Sequence, residues 1–389
     1  MPFLETFLSG IGLVQMTIPR AIMILLALVL AFLAIVKKYE PLLLLPLAFG
    51  IMLANIPIAG LDAYFVYEDG RRGLMNFLYQ GIVGVIYPPL IFLCIGSMTD
   101  FGPLISSPKS ALIGLGGQLG IFVAFGASLL LGNLLIPVIP GFDGFTLSEA
   151  ATIGIIGSSD GPTSIFTATR LAPDILSSVA IAAYSYMALI AIIQPPIMRL
   201  LTTHKERIVI MPEPKRVTQR QKIIFPIVVT IVTLLLVPAA GALIAMLMLG
   251  NLIKESGVTE RYVRSLQNDV LNLLTLLVAL SIGSSTTAER FLTPKTLIIV
   301  VCGLLAFVFG TVGGILIAKL LYAVTRGKVN PLIGNSGVSA MPMAARVSQK
   351  MGQQYNKQNH LLMHAMGPIV SSTIGSAIIA GIFIAILGG

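Results

Sequence analysis

Eleven apolar runs dominate the chain, at about residues 19–36, 41–57, 80–98, 110–137, 148–170, 174–200, 223–247, 268–286, 296–323, 330–348 and 360–387. Several reach the ~20 apolar residues that a helix needs to cross a hydrocarbon core. They are too long and too continuous for barrel strands, and a backbone facing lipid must satisfy its polar groups internally. The pattern therefore predicts an all-α polytopic membrane protein with ten to eleven membrane segments. Two runs, 148–170 and 330–348, are interrupted by Gly, Pro and polar residues. The stretch 59–79, "AGLDAYFVYEDGRRGLMNFLY", is too polar to span and reads as an extramembrane loop. Residues 201–221 hold the densest charge and two prolines, and read as a central cytoplasmic linker.

The halves flanking that linker echo each other. "IFLCIGSMTDF" (91–101) and "SSPKSALIGLGGQLGIF" (106–122) resemble "LLVALSIGSSTTAERF" (276–291) and "LTPKTLIIVVCGLLAF" (292–307), and "PLAFGIMLANI" (46–56) resembles "AMLMLGNLIKES" (245–256). Each half ends with one interrupted segment and one long helix. Two such halves mark a secondary-transporter architecture, whose ion or substrate site forms where broken helices meet near the midplane. The expected organisation is an interfacial segment over 1–18, a first membrane repeat over 19–200, the linker over 201–221 and a second, inverted repeat over 222–389.

Composition agrees with the membrane reading: 56% of the 389 residues are hydrophobic and 11% charged, against about 25% charged in soluble domains. The net charge of +9 comes from Lys and Arg in short loops such as "KKYE" (37–40) and "TRGK" (325–328). That is the positive-inside pattern, and it argues against a nucleic-acid partner. Cys94 and Cys302 lie in separate apolar runs and read as free thiols. The N-terminus lacks the basic region of a cleavable signal peptide.

Of sixteen acidic residues, only Asp160 lies inside an apolar run; the others fall in polar loops or near helix ends. A carboxylate at membrane depth costs several kcal/mol, so it points to an ion pathway or proton relay. It stands in "GIIGSSDGPTSIF" (154–166), where Gly161-Pro162 break the helix. Freed carbonyls, the carboxylate and the hydroxyls of Ser158, Ser159, Thr163 and Ser164 make an oxygen-rich set for a hard cation. Ligand chemistry alone does not separate potassium, sodium and proton. The matching stretch "NPLIGNSGVSAMPMAARVS" (330–348) carries Asn330, Asn335, Ser336, Ser339 and Arg346 around Gly334, Gly337 and Pro342. Arg346 either pairs with an anion or snorkels to the interface. Tyr184 and Tyr186 face different sides of one helix, so at most one points into a given site. His360 and His364 share a helix face without a third zinc ligand. Walker loops, dinucleotide fingerprints, nucleophile elbows and a Met-Lys-Met biotinylation motif are missing.

At "GIIGSSDGPT", "AAYSYMAL…IQPPIMR", "NPLIG…GVSAMPMAARVS" and "LLMHAMGP" the chain resembles the β subunits of the biotin-dependent, sodium-translocating decarboxylases acting on oxaloacetate, methylmalonyl-CoA or glutaconyl-CoA. The resemblance runs from residue 37 to the C-terminus. It implies a bacterial plasma-membrane subunit that decarboxylates carboxybiotin and exports Na+. A carboxyltransferase α subunit loads the biotin, a separate biotin carrier subunit delivers it, and a small membrane γ or δ subunit completes the complex. The prosthetic group is not attached to this chain, and a homo-oligomer in the lipid bilayer is expected. By motif, the resemblance implies Asp160, Tyr186, Ser339 and Arg346 as catalytic residues, with Arg346 also on the carboxybiotin. It implies Asp160, Asn330, Gly334 and Ser339 at the metal ion. In the coupling this suggests, Asp160 exchanges Na+ for a proton while Tyr186 and Ser339 shuttle it. One departure is Ile369, where the family has Asn after His-Ala-Met-Gly-Pro. The shortness of the 59–79 loop leans toward a CoA ester as substrate. The alternative from another class is a Na+-coupled secondary transporter, a carboxylate symporter or Na+/H+ antiporter, without decarboxylase activity.

Overall fold

The computed structural model describes residues 10–213 and 216–388, so residues 1–9 of the expected interfacial segment lie outside the described residues. Regular structure is helical; among the described residues one isolated antiparallel bridge, Val66 with Arg72, closes a hairpin in the polar 59–79 loop. Helices of seven residues or more are numbered in chain order. The first half holds α1 (Ile18–Val36), α2 (Pro41–Ala54), α3 (Leu74–Val83), α4 (Tyr87–Met98), α5 (Ala111–Gly117), α6 (Leu119–Leu135), α7 (Leu147–Ile155), α8 (Gly161–Leu171), α9 (Leu176–Ala188) and α10 (Ile190–Leu201). The second half holds α11 (Gln219–Leu236), α12 (Gly241–Ser256), α13 (Leu271–Ser285), α14 (Pro294–Val324), α15 (Met343–Tyr355) and α16 (Leu362–Leu387).

Among the described residues, seven helical segments are long and apolar enough to cross a membrane, and two pairs bent by 66° (α3–α4) and 64° (α9–α10) raise the number to nine if each pair is one span. The difference from ten or eleven has local causes. The runs at 148–170 and 330–348 are each broken into pieces too short to span, and α2 has only 14 residues. In the other direction, the single run 223–247 is two helices, because Val237 turns out of the helix before Pro238. Proline lacks the N–H to continue a helix but suits the start of the next.

Helices of the two halves cross in reciprocal pairs: α2 of the first lies on α13 of the second, and α4 of the first lies on α12 of the second. Both crossings are made by facing glycines. A Cβ on Gly50 would sit 2.6 Å from the Leu280 carbonyl oxygen, and one on Gly250 would collide with that of Leu93. The helix ends are tied the same way, with Asn55 donating to Thr286 O (2.9 Å) and Asn251 to Thr99 O (3.0 Å). Such close approach suits membrane helices, where small residues let backbones meet. Cys94 and Cys302 are free and buried.

The first part of the linker is bound down rather than loose. Arg207 donates to the Tyr355 hydroxyl (2.9 Å), while the Asn330 and Asn359 amides each donate to Arg207 O at 3.1 Å. Glu206, nearly buried, pairs with Lys319 of α14 at 3.5 Å. The linker thus straps α10 to α14 and to both ends of the α15 region.

Candidate functional site

Helix α7 starts from a Thr146–Glu149 capping box and tightens into a 3-10 turn at Ile156–Ser158. The chain then leaves the helix at Ser159, a non-glycine residue in the left-handed conformation (φ 56°), and restarts with Asp160 as N-cap of α8. Pro162 favours that restart, since its fixed φ suits the first turn. Gly161 is required because the Tyr184 ring lies where a Cβ would go.

Asp160 is 4% exposed, and no basic side chain reaches ion-pair distance of it among the described residues. Its carboxylate accepts from Thr163 Oγ1 (2.7 Å), from Thr163 N (3.3 Å) and from Ser376 Oγ of α16 (3.1 Å). It also caps the positive end of α8, so a buried negative charge is held by hydrogen bonds and the helix dipole. Beside it, the Ser159 hydroxyl is buried without a hydrogen-bond partner.

The second break meets the first directly. A 3-10 segment, Pro331–Gly337, leads to extended Val338, and Ser339 N donates to Ser158 O at 2.8 Å. The Met341–Pro342 peptide is cis, and α15 follows. Ser339 Oγ donates to Ser372 Oγ (3.0 Å), which also receives Gln118 Nε2 (2.9 Å); the buried Gln118 Oε1 has no partner. Ser372 and Ser376 lie one turn apart on α16, on one face. Asp160 and Ser339 are therefore bound to neighbouring turns of the same helix. Ile369, fully buried, is one turn before Ser372.

The remaining candidates are placed elsewhere. Asn330 donates to the Arg207 and Val209 carbonyls and accepts from Leu332 N, so its amide joins linker to 3-10 segment. Gly334 is packed against Gly314 and Ile315 of α14. Tyr186 donates to the Val300 carbonyl of α14; Tyr184, not Tyr186, is the tyrosine beside the Asp160 break. Asn335 and Ser348 form a buried network with Gln194 of α10: Asn335 Nδ2 donates to Gln194 Oε1 (2.8 Å) and Ser348 Oγ to Asn335 Oδ1 (2.5 Å). Arg346 projects from α15 into a cavity of about 400 Å³ whose wall also holds Lys38, Tyr39, Glu40, Arg199 and Lys350. It is a basic recess lined by none of the residues that hydrogen-bond Asp160 or Ser339.

Sequence reasoning missed Gln118, Ser372 and Ser376. "VSSTIGSA" (370–377) does carry hydroxyls at i and i+4 inside the last apolar run. Such spacing alone does not tell a ligand face from interhelical packing.

A family model described as Na+-transporting oxaloacetate decarboxylase beta subunit matches residues 19–387. The chain is similar to methylmalonyl-CoA decarboxylase subunit beta of Veillonella parvula, 49% identical over 384 residues, covering 99% of this chain and 97% of that protein. It is 48% identical over 386 residues to glutaconyl-CoA decarboxylase subunit beta of Acidaminococcus fermentans, covering 99% and 98%. With the oxaloacetate decarboxylase beta chain of Klebsiella pneumoniae the identity is 42% over 433 residues, covering 99% of both.

Proposed function

The chain belongs to the family of Na+-transporting oxaloacetate decarboxylase beta subunits, and from that premise we infer that it is the membrane subunit of a decarboxylase-driven sodium pump. The observation that carries the reading is Asp160, a buried carboxylate that no basic side chain pairs among the described residues, at the meeting of two broken helices. In a pure scaffold such a group is only a cost. As an ion site it supplies the charge, with Thr163, Ser376 and the free Ser159 hydroxyl as further oxygen ligands and Ser339 on the adjoining turn. Asn330 and Gly334 contribute by shaping the second break around that site.

Decarboxylation of carboxybiotin consumes a proton. A site that holds Na+ when Asp160 is ionised, and releases it when Asp160 is protonated, couples the two. Tyr186 and Ser339 are the proposed proton carriers, Tyr186 once its bond to the Val300 carbonyl opens. Arg346 and its basic cavity suit the carboxylate of carboxybiotin, presented by a biotin carrier subunit after loading by a carboxyltransferase α subunit. A small γ or δ membrane subunit and further copies of this chain complete the proposed assembly. Similarity to the CoA-ester subunits at 48–49%, against 42% for the oxaloacetate subunit, supports a CoA ester as the partner's substrate. These relatives also disfavour the plain secondary transporter.

We further propose that 19–200 and 222–389 are inverted repeats. Support comes from the crossings: the sequence echo aligns Gly50 with Gly250 and Gly96 with Gly283, and Gly50 packs against Gly283 while Gly250 packs on the Leu93 and Ser97 backbone and Gly96 on that of Leu247 and Asn251. A two-fold swap exchanges these contacts.

The test is Asp160→Asn. This variant keeps size and hydrogen bonding but removes charge, so the protein should express while Na+ ceases to protect it against heat or protease. Undiminished Na+ protection would place the cation elsewhere.

A further inference from the structure

The ion site does not explain the loop between α1 and α2. In "KKYEP" (37–41), Lys38 and Glu40 both take left-handed backbone conformations, with φ of 56° and 37°. Neither is glycine, and such outliers gather where a chain must aim side chains at a functional site. Here the aim is plain: Lys38, Tyr39 and Glu40 line the cavity that also holds Arg346.

Glu40 is the only carboxyl group on that wall among the described residues. Charges face it from each packed element, namely Lys38 from its own loop, Arg199 from α10, and Arg346 and Lys350 from α15. Yet no ion pair ties Glu40 to any of them among the described residues. Its main-chain carbonyl opens α2 by accepting from Leu44 N (2.9 Å), which leaves the half-buried side chain unused by the cap.

Loss of CO2 from an N-carboxylated urea breaks the C–N bond, returns the electron pair to the ring nitrogen and requires a proton there. Arginine and lysine are weak acids near neutral pH, and so is tyrosine. We propose that Glu40 is the proton donor to that nitrogen, while Arg346 holds the carboxylate until the bond breaks. The step balances: the Glu40 proton goes to nitrogen, CO2 leaves, and the Glu40 carboxylate regains a proton from water or from the relay described above. The proposal rests on the reading of this cavity as the carboxybiotin site. Burial pushes the Glu40 carboxyl above its ordinary range, against a lowering by the Arg346 charge. That keeps the acid form present at higher pH, in favour of donation.

The experiment uses the assembled complex containing wild-type chain, Glu40→Gln or Glu40→Asp. Equilibrium binding of the biotinylated carrier and the single-turnover rate of CO2 release from carboxylated carrier are both measured across pH at fixed Na+. Carrier binding should be retained. Release should slow by about 100-fold or more in Glu40→Gln, and the limb that falls with rising pH in the wild type should vanish. Glu40→Asp should restore part of the rate and the limb, and carries the test if Glu40→Gln does not fold. A wild-type rate in Glu40→Gln, or slowing with an unchanged pH profile, overturns the assignment. Failure of wild-type chain to bind the carrier or release CO2 instead overturns the cavity reading beneath it.

Discussion

Two hydroxyls, one main-chain N–H and a helix N-terminus hold the Asp160 charge, so each hydroxyl can be removed singly and its share read. Ser376→Ala deletes only the hydroxyl from α16 and leaves both Thr163 bonds. A hydrogen bond to a charged group contributes about 1.5–3 kcal/mol. Na+ affinity, read as the Na+ concentration giving half-maximal heat protection, should therefore weaken by about tenfold or more, at ~1.4 kcal/mol per decade. Ser372→Ala touches Ser339 and Gln118 instead, and should weaken it less. Equal effects would mean that the last helix acts by packing rather than by ligation. At this scale the sequence was informative where chemistry is rare and silent where it is common. One carboxylate inside an apolar run stands out, whereas serines in greasy helices look alike until the facing helix is known. The same limit applies to "YSY" (184–186), where the period of a helix separates the two tyrosines without saying which one meets Gly161.

Elements were legible where proline or glycine punctuates them. The break beside Gly161-Pro162 lies just before them, at Ser159–Asp160, with Gly161 and Pro162 opening α8, and the segment before Pro342 is likewise broken. The joint between α11 and α12 was hidden by continuous apolar sequence on both sides of Pro238, since hydrophobicity reports depth and not direction. Helix crossings were invisible except as repeated glycines, whose use depends on the partner backbone. Gly250→Ala tests this use. Its Cβ would collide with the Leu93 carbonyl, so α4 and α12 would have to separate. Overpacking of this kind costs about 1–3 kcal/mol. Thermal unfolding in detergent should shift down accordingly, and Gly50→Ala at the reciprocal crossing should do the same. A silent Gly250→Ala would show that the crossing is looser than the close backbone approach requires.

Across the whole molecule, two chemistries are held apart and joined by one stretch of chain. Residues 330–355 carry both Ser339, bound to Ser158 of the first break, and Arg346 in the basic cavity, and the bonds of Asn335 to Gln194 and Ser348 tie together the segments that flank these two residues. The linker fastens that stretch through Arg207 to Asn330 and Tyr355. On the proposed reading, occupancy of the cavity biases the second break as a unit, and the ion feels decarboxylation through it. Exporting one Na+ costs about 2.3 kcal/mol per 100 mV, and decarboxylation must supply it. Arg346→Lys separates the two chemistries. It keeps the positive charge but loses the planar fork that grips a carboxylate in two places. Proteoliposomes carrying the complete complex should then need more carboxylated carrier for half-maximal Na+ uptake, while Na+ affinity by heat protection stays near that of the wild type. Each Na+ transported should still require CO2 release, so uptake stops when substrate runs out. Full Na+ exchange without any biotin species, in wild type or variant, would break the link between cavity and break and leave the chain a simple transporter.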